Sequence, residues 1–126
     1  MNITLKNLHE ATEYDVIKQV GTHLLRQNKH SDDGGVNCMY RGQGGLMCAA
    51  GCLIADDEYK ASFEGNLWRS LVENEQVPDA HRLLVERLQR IHDDYPPEYW
   101  DFKLRKLCDR YGVDSSWIDE VLNERA

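Results

Sequence analysis

Residues 78–111, PDAHRLLVERLQRIHDDYPPEYWDFKLRKLCDRY, carry the clearest helical pattern of the chain, divided by a pair of prolines. Apolar side chains recur at helical spacing before that pair, at Leu84, Leu88, Ile91 and Tyr95. They recur again after it, at Trp100, Leu104, Leu107, Cys108 and Tyr111, and Gly112 is expected to end this second helix. Proline lacks the N–H that a helix interior uses, so the pair ends one helix and opens the next. We therefore predict two antiparallel helices that share one contact cluster, made of Leu84, Leu88, Ile91, Trp100, Leu104 and Leu107.

Further helices are predicted on both sides of this pair. Thr12 is a favourable N-cap residue and Asp15 approximates a capping box, so a first helix is expected over residues 13–27. Gly21 lies in the middle of that helix and costs roughly 1 kcal/mol relative to Ala. This cost predicts that another element packs closely against the backbone there. Shorter helices are expected after Asn66 and after Asp114.

The glycine- and cysteine-rich segment between the first helix and the later ones predicts the strands. A short strand is expected over residues 36–41, where Val36, Cys38 and Tyr40 alternate with their neighbours. The glycines of residues 42–45 then form a turn, and residues 46–48 return as a second strand. Residues 49–55 follow as a short buried helix. The predicted fold is mainly α, with five or six helices and one short β-hairpin, in a single α+β domain over residues 1–126.

Length, charge and hydropathy narrow the class of protein. A chain of 126 residues fits one domain, and 41% hydrophobic with 29% charged residues is typical of a globular protein. The formal net charge of −7 argues against general binding to nucleic acid or to anionic membranes. No stretch approaches the ~18 consecutive apolar residues that a membrane span needs, and the first residues carry no secretory signal. We therefore expect a cytoplasmic protein with reduced cysteines.

The four cysteines allow three interpretations: metal ligands, buried packing residues, or a redox or nucleophilic thiol. Cys38, Cys48 and Cys52, together with Cys108 or His30, could supply the thiolate and imidazole ligands of a tetrahedral zinc site. Their spacing is unlike the Cys-x2-Cys knuckles of structural zinc sites, and free cysteine is usually a buried, small apolar residue. We therefore predict that at least three of the four are reduced, buried and metal-free, with no cofactor. Cys48 is the best thiolate candidate, but its apolar surroundings would raise its pKa.

The loop Arg41-Gly42-Gln43-Gly44-Gly45 has the composition of a binding segment. Glycines allow backbone N–H groups to converge on an anion, and Arg41 could add a bidentate clamp. The alternative is a turn in which glycines supply positive φ. The loop matches neither a phosphate-binding Walker motif nor a dinucleotide fingerprint. We take Arg41, Gly42, Gly44 and Gly45 as the candidate binding residues.

Three segments resemble a family of small proteins found in bacteriophage genomes, prophages and some bacteria. They are residues 23–27 (HLLRQ), residues 40–56 (YRGQGGLMCAAGCLIAD) and residues 88–93 (LQRIHD). The family has no assigned activity, so the resemblance implies no catalytic residue or cofactor. It implies a phage-type accessory protein that works in a bacterial cytoplasm.

Three functions follow from these observations. The first is binding to a host or phage protein, including inhibition of a host defence system. The second is a small-molecule or nucleotide-binding protein, or an enzyme, that uses the Arg41 glycine loop. The third is a zinc-stabilised structural domain. The five histidines form no metal motif and no catalytic constellation is visible, so the prediction inclines against an enzyme. The sequence leaves the oligomeric state open.

Overall fold

Five α-helices make up the regular structure of the computed structural model in the part it describes, residues 2–34 and 38–125. They are α1 (Glu13–Gln27), α2 (Trp68–Glu73), α3 (Arg82–Asp94), α4 (Trp100–Tyr111) and α5 (Ser116–Glu124). The mainly helical class predicted from the sequence is confirmed. Helix α1 contacts α3, α4 and α5, so it lies at the centre of the helical bundle. No helix in the described part of the chain is both long and apolar enough to cross a membrane.

Helix α1 begins and ends where its sequence pattern predicts. The Asp15 backbone N–H donates to the Thr12 hydroxyl at 3.1 Å, and the Thr12 N–H donates to the Asp15 carboxylate at 3.0 Å, which completes the capping box. Asn28 ends the helix in the left-handed conformation. Gly21 faces the indole ring of Trp117, and a Cβ atom at position 21 would collide with that ring. The close approach predicted at Gly21 is therefore confirmed, and its partner is α5.

Helices α3 and α4 flank the proline pair and contact each other. The six residues predicted to form their shared cluster are all buried in the single hydrophobic core: Leu84, Leu88, Ile91, Trp100, Leu104 and Leu107. Helix α3 begins later than Pro78, because His81 adopts the left-handed conformation with φ 57° immediately before it. Gly112, also left-handed with φ 63°, ends α4 as expected.

The predicted β-hairpin is wrong for the described residues. Only an isolated antiparallel bridge between Asp32 and Cys38 is present among them, while Val36 and Asn37 of the predicted strand lie outside the described residues. The backbone N–H groups of Tyr40 and Arg41 donate to the Glu64 carboxylate at 2.9 and 3.0 Å. A side chain therefore takes the hydrogen bonds that a second strand would have accepted.

The return segment, residues 46–55, docks on α1. The Met47 N–H donates to Gln27 Oε1 at 3.0 Å, and the Met47 carbonyl accepts from Gln27 Nε2 and contacts His23 Nε2, both at 2.8 Å. The short helix predicted for residues 49–55 is reduced to one 3₁₀ turn, Gly51–Leu53. Gly51 is packed against the Tyr40 carbonyl so closely that a side chain would not fit. Residues 40 and 51 are thereby held together without a β ladder.

Candidate functional site

Arg41, the first candidate binding residue, is turned into the protein. Its guanidinium donates to the Gly51 carbonyl at 2.8 Å and to the Ile54 carbonyl at 2.6 Å. It also reaches the Asp56 carboxylate at 3.3 Å and lies 5.0 Å from the centre of the Tyr59 ring. Only 20% of the side chain is exposed. Arg41 therefore ties the glycine loop to residues 51–59, and three of its five N–H donors are bonded within the protein.

The glycine loop forms a tight turn. The Gly42 N–H donates to the Leu46 carbonyl at 2.7 Å, and the Gln43 N–H donates to the Asp32 carbonyl at 3.1 Å. Gly44 and Gly45 adopt φ of 68° and 81°, with open space around the position of a side chain. The N–H groups of Gly42 and Gln43 are thus already bonded within the protein. The turn explains these glycines, and their binding role stays a prediction.

The four cysteines do not come together as a metal site. No group of three potential metal ligands in the described residues contains Cys48, Cys52 or Cys108. Cys48 and Cys108 are buried, Cys52 is partly buried and Cys38 is exposed, so the expectation of at least three buried thiols is wrong. Burial raises the pKa of Cys52 to about 12 and that of Cys108 to about 11, and it raises the pKa of Cys48 strongly. These thiols are therefore neutral near pH 7, which disfavours nucleophilic chemistry.

Cys38 belongs to a different cluster, formed with His92 and Asp93 at the end of α3. One potential ligand atom from each residue lies within 4.8 Å of the other two. The His92 ring is fully buried and packs against the Trp100 ring, with centroids 5.5 Å apart. Its Nε2 accepts the Ser31 backbone N–H at 2.9 Å, and its Nδ1 lies 2.8 Å from the Asp93 carboxylate.

These contacts determine the protonation of His92. A backbone N–H can only donate, so Nε2 must carry the lone pair and Nδ1 the proton, which it donates to Asp93. A metal ion at Nδ1 would require the proton on Nε2, where it would face the Ser31 N–H. The cluster therefore fits a hydrogen-bonded neutral imidazole and does not fit a metal site, although its three residue types are ligands that zinc accepts.

Asp93 is the charged centre of this cluster. It accepts hydrogen bonds from His92 at 2.8 Å, from the Gln89 amide at 2.7 Å and from the Cys38 thiol. Burial by itself would raise the pKa of the Asp93 carboxyl, but the hydrogen bonds from His92 and Cys38 outweigh it and lower that pKa. In turn, partial desolvation of the Cys38 thiol and the neighbouring Asp93 charge raise the pKa of Cys38 to about 12, although the residue as a whole is exposed. Asp93 is thus an anion and Cys38 a neutral thiol near pH 7.

Asp93 and Cys38 form part of the wall of a cleft of about 490 Å³, which we call the Trp68 cleft. Its lining includes Cys38, Met39, Tyr40, Trp68, Gln89 and Asp93. Leu67 lies at the same cleft and is 75% exposed. Trp68 is only 2% exposed, and its indole N–H has no hydrogen-bond acceptor among the described residues. A buried donor without a partner is rare in folded proteins, so the unsatisfied Trp68 donor makes this cleft a candidate ligand-binding site.

A second concave surface lies between α3 and α4, and we call it the cationic groove. Its volume is about 310 Å³. It is lined by Arg87, Arg90, Ile91, Tyr95, Lys103, Lys106, Leu107 and Arg110. The chain has 15 Lys and Arg residues and 22 Asp and Glu residues. Five of the 15 basic residues line this groove. No carboxylate is among the residues that line it.

The cations of the groove lack acidic partners. Arg87, Arg90, Lys103, Lys106 and Arg110 form no ion pair within the part of the chain that the structure describes. By contrast, the arginines Arg26, Arg69, Arg82 and Arg105 each pair with a carboxylate at 2.7–3.3 Å. Aromatic rings support the groove lysines instead: the Lys103 ammonium lies 4.2 Å from the centre of the Tyr95 ring.

Neither the cationic groove nor the Trp68 cleft was predicted from the sequence. The groove had a detectable signal, since Lys103, Lys106 and Arg110 recur at the spacing of one helical face, as do Arg87 and Arg90. The Trp68 cleft had none, because Cys38 and Asp93 are 55 positions apart in the chain by their numbers.

Comparisons with known proteins give no identity to these surfaces. No family model matches the chain, and no curated protein matches it. No solved structure matches the fold. The two surfaces are therefore assigned on their own geometry and chemistry.

Proposed function

We propose that the protein is a binding module whose cationic groove docks an acidic segment of a partner protein. The observation that carries this proposal is the group of five cations without ion-pair partners in a groove with no acidic lining residue. A protein with a net charge of −7 has many carboxylates with which to neutralise its cations. Complementary charge across an interface speeds association and selects the partner.

An acidic protein segment suits the groove better than a nucleic acid. The ammonium groups of Lys103 and Lys106 lie over the Tyr95 and Phe102 rings, 4.2 and 5.0 Å from their centres, so those ring faces are covered. Binding of single-stranded nucleic acid relies on ring faces that remain available for stacking bases. A long polyanion would also extend beyond the groove over a surface rich in carboxylates, whereas a short acidic segment would not.

The partner segment should also carry apolar side chains. Ile91 and Leu107 form the floor of the groove with Tyr95, and Phe102 beside it is 51% exposed. Aromatic and aliphatic side chains at the centre of an interface, surrounded by charge, are the usual anchors of protein–protein binding. An acidic segment with Leu or Ile at helical spacing meets both requirements.

The wider role proposed for this binding is that of a phage-type accessory protein in a bacterial cytoplasm. Its support is the resemblance of residues 40–56 and the neighbouring segments to phage and prophage proteins. The four free thiols are consistent with a reducing compartment. Within this proposal the partner is a host or phage protein, and inhibition of a host defence system is one consequence of docking. The Arg41 loop is not proposed as the binding surface, because its guanidinium is already bonded to carbonyl groups.

The test uses two labelled probes of equal length at low salt, a peptide of repeated Glu-Glu-Leu triplets and an oligothymidylate, with binding measured by fluorescence anisotropy. The groove variant replaces Arg90, Lys106 and Arg110 by Gln. The matched control replaces three cations elsewhere, Lys18, Lys29 and Lys60, by Gln. Both variants change the net charge equally.

We expect the peptide to bind the wild-type protein, and its affinity to fall with added salt. The groove variant should bind roughly 3- to 100-fold more weakly, since each exposed charge pair contributes about 0.2–1 kcal/mol. The control variant should retain wild-type affinity. Equal weakening in both variants, absence of peptide binding at low salt, or tighter binding of the oligothymidylate would each contradict the proposal.

A further inference from the structure

The Trp68 cleft and the cationic groove lie against neighbouring parts of α3, and their charges have opposite signs. On α3, Gln89 and Asp93 line the cleft, whereas Arg87, Arg90 and Ile91 line the groove. A neighbouring pocket shares Trp68, Gln89 and Asp93 with the cleft and Arg90 with the groove, so the two surfaces adjoin along α3. The cleft carries a carboxylate where the groove carries cations, so its occupant must differ in charge from that of the groove.

We propose that the Trp68 cleft binds an organic cation, a primary ammonium or guanidinium group, that carries a carbonyl group nearby. Lysine and arginine residues have this combination, and so do their free derivatives. The proposal goes beyond the docking function of the groove and does not depend on it.

Among the described residues, the Asp93 carboxylate is held by hydrogen-bond donors and not by a Lys or Arg side chain. Its three donors are a thiol, an amide and an imidazole, and all three are neutral. The amide orientation is settled, because Gln89 Oε1 accepts the Ala50 backbone N–H at 2.9 Å and Nε2 must then face Asp93. The imidazole is neutral because Ser31 donates to His92 Nε2. No Lys or Arg of the described residues pairs with this carboxylate.

The carboxylate can accept a further donor from the cleft. An ionised carboxylate offers about four lone-pair positions, and three donors leave one of them for a ligand. The Asp93 side chain is 33% exposed, so this position is accessible. The existing hydrogen bonds hold the carboxylate in place before the ligand arrives, which reduces the entropy that binding must overcome.

Aromatic groups provide the rest of the recognition. The Trp68 and Tyr40 rings line the cleft with centroids 6.4 Å apart and planes inclined at 53°. The indole N–H of Trp68 has no acceptor in the part of the chain that the structure describes, and leaving a buried donor unsatisfied is costly. A carbonyl oxygen beside the ligand's cation would supply that acceptor.

Two other chemistries fit the same residues less well. A metal ion requires the His92 proton on the nitrogen that faces the Ser31 N–H, as described above. Nucleophilic attack requires a thiolate, and the hydrogen bond from Cys38 to Asp93 favours the neutral thiol. An organic cation uses the charge of Asp93 without changing the proton on either neighbour.

The test follows the side-chain indole N–H resonance of Trp68 by NMR, assigned with Trp68→Phe, during titration with N-acetyl-arginine amide and N-acetyl-lysine amide. N-acetyl-norleucine amide is the neutral control, and agmatine is the cation without a carbonyl group. An Arg-containing tripeptide separates a peptide source from a free amine. Asp93→Asn removes the charge, and Asp94→Asn is the matched control on the adjacent exposed residue.

We expect a saturable shift of the Trp68 resonance with the two amide cations and weaker binding of agmatine. Asp93→Asn should weaken binding roughly 10- to 100-fold and Asp94→Asn should not, since a hydrogen bond to a charged group is lost only in the first. Equal shifts with the norleucine derivative, no shift with any cation, or equal loss in both Asn variants would overturn the proposal. The norleucine comparison uses the wild-type protein, so it tests whether binding requires the positive charge of the ligand even if Asp93→Asn fails to fold.

Discussion

At the scale of single residues, Arg41 shows how a charged side chain becomes part of a core. Its guanidinium has five N–H donors and meets two backbone carbonyls, one carboxylate and the Tyr59 ring. Removing it would leave the carbonyls of Gly51 and Ile54 without these donors. With only 20% of its side chain exposed, Arg41 belongs to the interior and is not a free surface cation.

We predict that Arg41→Ala lowers the free energy of unfolding by about 2–4 kcal/mol, because hydrogen bonds to a charged group are lost at a mostly buried position. Gly44→Ala should cost less, about 1–2 kcal/mol, because a Cβ at φ 68° is strained but meets no neighbouring atom. Denaturant titration of both variants measures which substitution lowers the free energy of unfolding more. Arg41→Lys, which keeps the charge but not the planar fork, should fall between wild type and Arg41→Ala. A larger loss from Gly44→Ala would contradict this account.

At the scale of helices, the contact between α1 and α5 depends on the absence of one side chain. Gly21 allows the Trp117 ring to lie directly on the α1 backbone. Trp117 is itself buried, and its indole N–H donates to the Asp114 carbonyl at 3.1 Å, just before α5 begins. The conformational cost of glycine within α1 is thus offset by the packing of a large aromatic ring.

Gly21→Ala should therefore destabilise the protein, although alanine is the better helix former. We expect a net loss of about 1–3 kcal/mol from overpacking against Trp117. Lys18→Ala, on an exposed position of the same helix, should change stability by less than about 0.5 kcal/mol. In the background of Trp117→Leu the cost of Gly21→Ala should shrink or change sign. An unchanged cost in that background, measured by thermal or chemical unfolding, would show that the ring is not the cause.

The α3–α4 pair allows a second test at this scale. Leu88 is fully buried and Leu83 on the same helix is 51% exposed. Leu88→Ala should cost about 2–5 kcal/mol through lost burial and the cavity left behind, whereas Leu83→Ala should cost less than about 0.5 kcal/mol. Urea titrations with comparable slopes would measure both values. Similar losses in the two variants would mean that the buried face of α3 has been assigned incorrectly.

At the scale of the whole molecule, charge is distributed unevenly around α3. The cationic groove places five Lys and Arg side chains along α3 and α4, and the Trp68 cleft places the Asp93 carboxylate on a neighbouring part of α3. The ion pairs elsewhere are mostly exposed and contribute little to stability. We therefore connect this distribution of charge with the binding functions proposed above rather than with folding.

Thiol reactivity should report the cooperative unfolding of the whole chain. Cys48 and Cys108 are buried, so a disulfide reagent such as DTNB should reach them only when the protein opens. Cys38 should react first but slowly, because its pKa of about 12 leaves little thiolate at neutral pH. Cys38→Ser should abolish that first phase, and denaturant should expose all the remaining thiols at once. Simultaneous reaction of all four in native buffer would contradict the burial pattern.

Local chemistry made several features of this protein predictable. The capping box at Thr12, the glycine at position 112 and the proline pair act through neighbours a few residues away, so α1 and the end of α4 were predicted at their observed bounds. The period of the apolar residues likewise identified the buried face shared by α3 and α4. These are the interactions that a sequence displays directly.

The sequence by itself thus determined the helical class, the main helices and their buried faces, whereas the tertiary structure decided the central segment and both surfaces. Glu64 takes the N–H groups of Tyr40 and Arg41 from a position 23 residues beyond Arg41, and so replaces the predicted strand pairing. Ser31 sets the protonation of His92 from 61 residues away. Such contacts are specified by which groups folding brings together, and they have no fixed spacing along the chain. Helical hydrogen bonds, by contrast, join residues four positions apart, so the helices can be predicted from the sequence alone.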